Sequence, residues 1–270
     1  MGFDFGASVK ALLLGEGDAL FPFSGITGTN GMIHPLGTDS KVLAALFEMV
    51  VRVQLEALAA QHGFKLETPP EQNYYPDFTL TRENEDGTLL RLAVDVKTTY
   101  GDAARDTFKF TLGSYTGCIH PSRETKNIHY PFSTYAEHWV VGFVYQREVR
   151  VSPACACYPA SEHANVPLPL KNVHCFVQEK WRIAGDKPGS GNTSNIGSIE
   201  GPLHSFEQGR GVFASDAEFL AYWRNYSPAG DKRYNNLDGF HAWCRDTVSE
   251  LVPLEVLTRA RQAPQQLGLF

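Results

Sequence analysis

Residues 75–100 read YPDFTLTRENEDGTLLRLAVDVKTTY, two alternating runs separated by a turn. In the second run Leu90, Leu92, Val94 and Val96 fall on one side of an extended strand, and Arg91, Ala93, Asp95, Lys97 and Thr99 fall on the other. In the first run Phe78 and Leu80 alternate with Asp77, Thr79 and Thr81. Between them Asp86-Gly87 is the strongest short hairpin signal. The pattern predicts a hairpin with one buried apolar face and one face that carries chemistry, bringing Asp77 and Asp95 to a shared site.

Two converging carboxylates repel each other unless a cation sits between them, so this pair is a candidate site for a hard divalent ion such as Mg²⁺. Lys97 lies two residues beyond Asp95 on the same face. An ammonium there can orient a water or offset charge building on a phosphate, while a bound ion lowers that water's pKa. The combination suits phosphodiester hydrolysis. A solvated hairpin face with ordinary surface Asp and Lys uses the same letters, and an Asp-x-Lys alone favours that reading. Here a Pro-Asp opens one strand, an Asp-x-Lys ends the next inside an apolar run, and a turn joins them, which tilts the reading towards function.

Upstream, a long helix is expected over about Lys41 to His62, with Thr38, Asp39 or Ser40 as N-cap and Gly63 beyond its end. Its run VLAALFEMVV holds one charge, Glu48, which must emerge at an edge, pair with a cation or meet a metal. A position at the helix's solvent boundary and a role as third carboxylate both remain open. Before the helix, Phe21 to Leu36 contains the turn signal Asn30-Gly31 between apolar residues, a predicted hairpin or loop. Residues Ala11 to Leu14 form a short apolar run suited to a helix packed on the core.

Composition sets the frame. The chain has 270 residues, enough for a sizeable core, and no Pro/Gly/Ser-rich linker divides it, so a single domain over 1–270 is expected. No apolar run approaches a membrane span and no signal sequence opens the chain, which predicts a soluble, cytoplasmic protein without membrane partners. Five scattered cysteines argue against a disulfide framework, and the nine histidines form no zinc-enzyme motif. The net charge of −6 weighs against a nucleic-acid ligand. That weight is small, because an ion neutralises site carboxylates and basic groups can cluster. From Arg91 to Lys126 the excess is slight, six Lys/Arg against four Asp/Glu.

Downstream of the hairpin, FKFTLGSY (Phe108 to Tyr115) and the end of Tyr130 to Tyr145 read as strands. Arg147 to Pro169, with four prolines, reads as peripheral loop, and Val173 to Gly185 returns to strand character. GSGNTSN (Gly189 to Asn195) lacks the Lys-Ser/Thr ending of a nucleotide-triphosphate cradle, but its glycines allow close backbone approach and Asn192 can pair with adenine in a major groove. Composition alone also describes it as a flexible polar loop. Ser215 and Glu218 form a capping box before the helix DAEFLAYWRNY, a second helical segment is expected around Phe240 to Leu251, and Ala263 to Phe270 reads as a disordered tail.

These blocks, together with HPLGTDSKVL, QNYYPDFTL, VDVKTTY, FTLGSYTG, TKNI, HWVVGFVY, KWRIAGDKPGSGNTSNIGSI and YWRNY in that order, resemble the EcoRV family of type II restriction endonucleases. The resemblance implies an α/β fold of the PD-(D/E)xK class, a mixed β-sheet flanked by helices, acting as a homodimer on double-stranded DNA. It implies Asp77 and Asp95 as Mg²⁺ ligands with the Val96 carbonyl as a further one, Lys97 positioning the water, and Glu48 as the additional acid in catalysis and metal binding. It implies Gln72 and Asn73 in a minor-groove loop and Gly189, Ser190, Gly191, Asn192, Thr193, Ser194 and Asn195 in a major-groove recognition loop. Thr98, Thr99 and Lys126 would contact the DNA backbone, Lys41 would support the active site, and residues 21–36 would supply part of the dimer interface. It further implies blunt central cleavage of GATATC or a close relative, and pairing with a cognate methyltransferase. Tyr74, Ser194 and Gly117 depart from the family wording. A repair or structure-specific nuclease with the same core, and a DNA-binding protein without catalysis, are the alternatives.

Overall fold

The computed structural model describes residues 3–13, 21–101, 106–148, 157–189, 194–227, 233–246 and 250–262. Helix α1 (Phe5–Leu13) is followed by a hairpin of β1 (Gly25–Thr27) and β2 (Met32–Pro35), then by the long helix α2 (Ser40–His62). Asp39 caps α2, its carboxylate accepting the Lys41 and Val42 N–H groups at 2.8 and 3.3 Å. Gly63 ends it with φ of 70°, a left-handed conformation that glycine adopts without strain. Between these ends Leu43, Phe47, Val51, Leu55 and Leu58 are buried along one stripe, each contributing roughly 1.5–3 kcal/mol by leaving water.

The stripe lies on a five-stranded mixed sheet ordered β3-β4-β5-β7-β9, comprising Lys65–Glu67, Phe78–Glu83, Leu89–Gly101, Glu137–Arg147 and Leu170–Glu179. The β5 and β7 strands are parallel and the other neighbours antiparallel. On one face α1 and α2 cover Leu80, Leu92, Val94, Val141, Phe143 and Val177. On the other, Val140, Val144 and Phe176 pack into a second apolar cluster with later elements. Burial on both faces explains why β7 reads as a continuous apolar run. Gly142 in its middle is required by a close approach, since a Cβ there would meet the Phe176 ring at 2.2 Å.

The second cluster is built by a small sheet ordered β10-β11-β6 (Ala184–Pro188, Asn195–Ser198, Thr111–Ser114) and by α3 (Leu203–Glu207), α4 (Asp216–Asn225), α5 (Leu237–Asp246) and α6 (Leu254–Gln262). Trp223 is fully buried there. The expected capping box is present in altered form. Ser215 Oγ accepts the Glu218 N–H at 3.2 Å, but the Glu218 carboxylate accepts from the Ala214 N–H at 2.7 Å rather than from that of Ser215. Its other oxygen stands 2.9 Å from His241 Nε2, and this second partner draws it aside.

Three expectations change. The face of the β4-β5 hairpin expected to carry chemistry is buried as well as the apolar one: Thr79, Ala93 and Asp95 are all buried, because Ile128 and Tyr135 fold over them and the Tyr135 hydroxyl lies 2.9 Å from Thr79 Oγ1. The stretch after Arg147 is not wholly loop, since β8 (Tyr158–Pro159) adds an edge to the β1-β2 hairpin and a 3₁₀ segment, Ala160–Asn165, follows. Helix α6 lies beyond the expected end of the last helical segment. The tail from residue 263 lies outside the described residues, and among those described no helix is long and apolar enough to cross a membrane.

Candidate active site

The turn predicted at Asp86-Gly87 closes as read: Gly87 takes φ of 79° and its N–H donates to the Asn84 carbonyl at 2.9 Å. The β4-β5 register that this turn sets pairs Phe78 with Val94, so Asp77, just before β4, comes level with Asp95. Asp77 Oδ2 accepts the Val96 N–H at 2.6 Å, which sets its carboxyl beside that of Asp95. Lys97 Nζ forms an ion pair with Asp95 Oδ1 at 2.8 Å and also reaches the Val96 carbonyl at 3.3 Å. Three residues singled out in the sequence are therefore brought to one place around Val96.

Their electrostatics follow from crowding. Burial, and then the negative charge of Asp95, push Asp77 up to about 7. Burial acts on Asp95 in the same direction, but the Lys97 and Lys180 ammoniums outweigh it and hold that carboxyl below its ordinary value. Lys97 resists its own burial because Asp95 and Asp77 favour its charged form, and its pKa is raised. The result is one ionised acid and one that keeps a proton near neutrality, the signature of two carboxyls sharing a space that a cation can fill.

The donor set fits Mg²⁺. Two carboxylates and the Val96 carbonyl are all oxygen, the preference of a hard divalent ion.

The other predicted residues distribute around this centre. Glu48 on α2 is half-buried at its edge, raised by burial, lowered by Lys97 and raised again by Asp95. It is neither fully solvated nor bonded to the acid pair. Thr98 and Thr99 continue β5 past Lys97, half-buried opposite Phe143 and Val144. Gln72 and Asn73 are exposed in the turn before Asp77, and Lys126 is exposed in the segment that covers the hairpin. Asn73 and Lys126 line a common cavity of about 340 Å³. Lys41 stands exposed in the first turn of α2 and makes no bond to Asp77, Asp95 or Lys97.

The loop singled out at 189–195 is described only at its base. The Gly189 N–H donates to the Asn195 carbonyl at 2.8 Å, the Ser194 carbonyl accepts from the Tyr115 N–H at 3.0 Å, and Asn195 opens β11 opposite Ser114. Ser190, Gly191, Asn192 and Thr193 lie outside the described residues.

Sequence reasoning missed three residues behind the acids. Lys180 Nζ lies 3.8 Å from Asp95 Oδ2 and 3.9 Å from the centroid of the Tyr75 ring, while the Tyr75 hydroxyl lies 2.8 Å from His138 Nδ1. Period two was the available signal: Phe176, Gln178 and Lys180 alternate onto one face, and all three are buried.

A sheet of this order, with acids and a lysine on its central hairpin and helices on both faces, defines a restriction-endonuclease-like fold. The family model for restriction endonuclease EcoRV matches residues 18–245. The chain is also 44% identical over 222 residues to the type II restriction enzyme EcoRV of Escherichia coli, an overlap covering 81% of this chain and 89% of that relative. The chain belongs to the EcoRV restriction endonuclease family and is a type II site-specific deoxyribonuclease acting on double-stranded DNA.

Proposed function

We propose that this enzyme is a Mg²⁺-dependent endonuclease, folded as one domain over 1–270, that cuts both strands of a palindrome at its centre to leave blunt ends. The site would be GATATC or a close relative. The observation that carries the reading is the contact of Asp77 with the Val96 N–H and of Lys97 with Asp95 in one half-buried, all-oxygen site.

Asp77, Asp95 and the Val96 carbonyl would hold the ion, which when bound supplies Lewis-acid polarisation and a water of lowered pKa. Lys97 keeps a positive charge beside the attacked phosphate and orients the nucleophilic water through its ammonium protons. The Val96 N–H fixes the Asp77 carboxylate, so that this acid enters the reaction already oriented. Glu48, at the edge of the site, adds negative charge next to Lys97 and helps keep that ammonium protonated.

DNA contacts would come from Gln72 and Asn73 in the minor groove, from residues 189–195 in the major groove, and from Thr98, Thr99 and Lys126 on the backbone. A twofold homodimer, with residues 21–36 at its interface, matches a palindrome because each subunit then addresses one strand. A methyltransferase of the same specificity would protect host DNA. Digestion of plasmid DNA in Mg²⁺ with sequencing of the fragment ends tests the reading: discrete fragments with flush ends at one palindrome support it. A smear, cutting confined to mismatches or junctions, or binding without cleavage overturns it.

A further inference from the structure

Lys180 is a buried cation for which the reaction outlined above has no use. It opens the 3₁₀ turn Lys180–Ile183 at the end of β9, with its side chain only 9% exposed. Burying an ammonium is unfavourable unless something nearby requires the charge, and an apolar side chain of equal length would fill the same space. The ammonium faces the Asp95 oxygen that Lys97 leaves free, so the carboxylate is bracketed by two cations, Lys97 on Oδ1 and Lys180 on Oδ2.

The two cations differ in freedom. Lys97 is a quarter exposed at the mouth of the site. Lys180 rests on the Tyr75 ring, and that ring is itself fixed: the Tyr75 hydroxyl meets His138, its N–H donates to the Asn127 carbonyl at 3.0 Å and its carbonyl accepts the His129 N–H at 2.8 Å. His138 in turn stacks on Phe132 at 4.3 Å. Lys97 therefore has solvent on one side, whereas Lys180 is enclosed by its packing.

We propose that Lys180 is a positioning residue that holds Asp95 from behind and keeps the divalent-ion affinity of the DNA-free site low, so that ion and scissile phosphate enter together. The inference rests on reading Asp77 and Asp95 as the ion's ligands. Three acidic side chains, Asp77, Asp95 and the half-buried Glu48, stand around Lys97, and Lys180 adds a second ammonium at Asp95. An incoming divalent ion is attracted by the acids and repelled by the ammoniums, and Lys180 is enclosed where it repels. A phosphate arriving at the same place brings the compensating negative charge. Lys180 also lines the 340 Å³ cavity with Asn73 and Lys126, so it stands between the acid pair and candidate DNA contacts.

Calorimetric titration of Mg²⁺ into the full-length, DNA-free protein tests this. Lys180→Met keeps the length and loses the charge, and is expected to bind Mg²⁺ about tenfold more tightly than the parent, since removing one like charge near a divalent site is worth at least ~1.4 kcal/mol. Lys180→Arg keeps the charge and is expected to stay within about threefold of the parent, a smaller change than any lost charge gives. Equal or weaker binding by Lys180→Met, or equal tightening by both variants, overturns the proposal. If Lys180→Met does not fold, Lys180→Gln is read in the same way. Asp77→Asn and Asp95→Asn separate the two levels of argument: undiminished Mg²⁺ binding in both removes the ligand assignment itself, whatever Lys180 does.

Discussion

Asp77 Oδ2 takes the Val96 backbone N–H at 2.6 Å, so an acid from the entry of one strand is tied to the residue that follows Asp95 on the next. This bond locates the carboxylate without consuming its second oxygen. An amide in its place can still accept the Val96 N–H but cannot neutralise an ion. Asp77→Asn is therefore expected to keep the fold and to lose cleavage by about a thousandfold or more, the scale of several kcal/mol of charge stabilisation. Because burial and Asp95 already push Asp77 up to about 7, the neutral amide also relieves repulsion. Its thermal midpoint should equal or exceed the parent's, and calorimetry beside a plasmid-cleavage assay checks both.

Lys97 joins the site through Asp95 and the Val96 carbonyl, both on its own strand. Lys97→Met should lower single-turnover cleavage by roughly 10²–10⁴-fold, the range for removing a proton-handling or water-orienting group. Affinity for cognate DNA, measured with Ca²⁺ in place of Mg²⁺, should stay within about threefold of the parent's, because one lost phosphate-proximal charge among many changes binding modestly. Cleavage at the parental rate removes Lys97 from the reaction.

Glu218 is 2% exposed and accepts from the Ala214 N–H with His241 at its other oxygen. Burial opposes its ionisation, but these partners prevail and its pKa lies below the ordinary value of 4.5. An acid depressed in the folded state contributes stability above its unfolded value and loses it as pH falls through the folded one. Urea midpoints should therefore drop between pH 5 and 3 in the parent and drop less in Glu218→Gln, which at pH 7 should be less stable by about 1–3 kcal/mol.

Gly142 leaves no room for a methyl group beneath Phe176. Gly142→Ala should cost about 1–3 kcal/mol through overpacking in the middle of β7. Gly142→Ala/Phe176→Leu should recover part of that loss, which a double-mutant cycle in urea reads directly. Additive losses would show that the ring is not the obstacle.

Much of this was legible in the residues. Helix α2 announced both its ends through Asp39 and Gly63, and the Asp86-Gly87 turn fixed the register that aligns Asp77 with Asp95. Local signals set these features. What stayed hidden depends on contacts between distant segments. The cover over the second face of the hairpin was not legible, because Ile128 and Tyr135, which form it, carry no mark of their destination. Lys180 offered only its alternation with Phe176 and Gln178, a sign of burial, and nothing near it in sequence says that Asp95 lies behind. Glu218 kept the capping spacing while its carboxylate took His241, from the next helix, as a partner.

The parallel pairing of β5 with β7 also spreads the site along the chain. Both acids and Lys97 lie in one hairpin, whereas Lys180 is reached only through β7, paired with β5, and β9, paired with β7. A nascent chain thus carries its cutting residues before it carries the cation behind them. The site is whole only when the far edge of the sheet is in place.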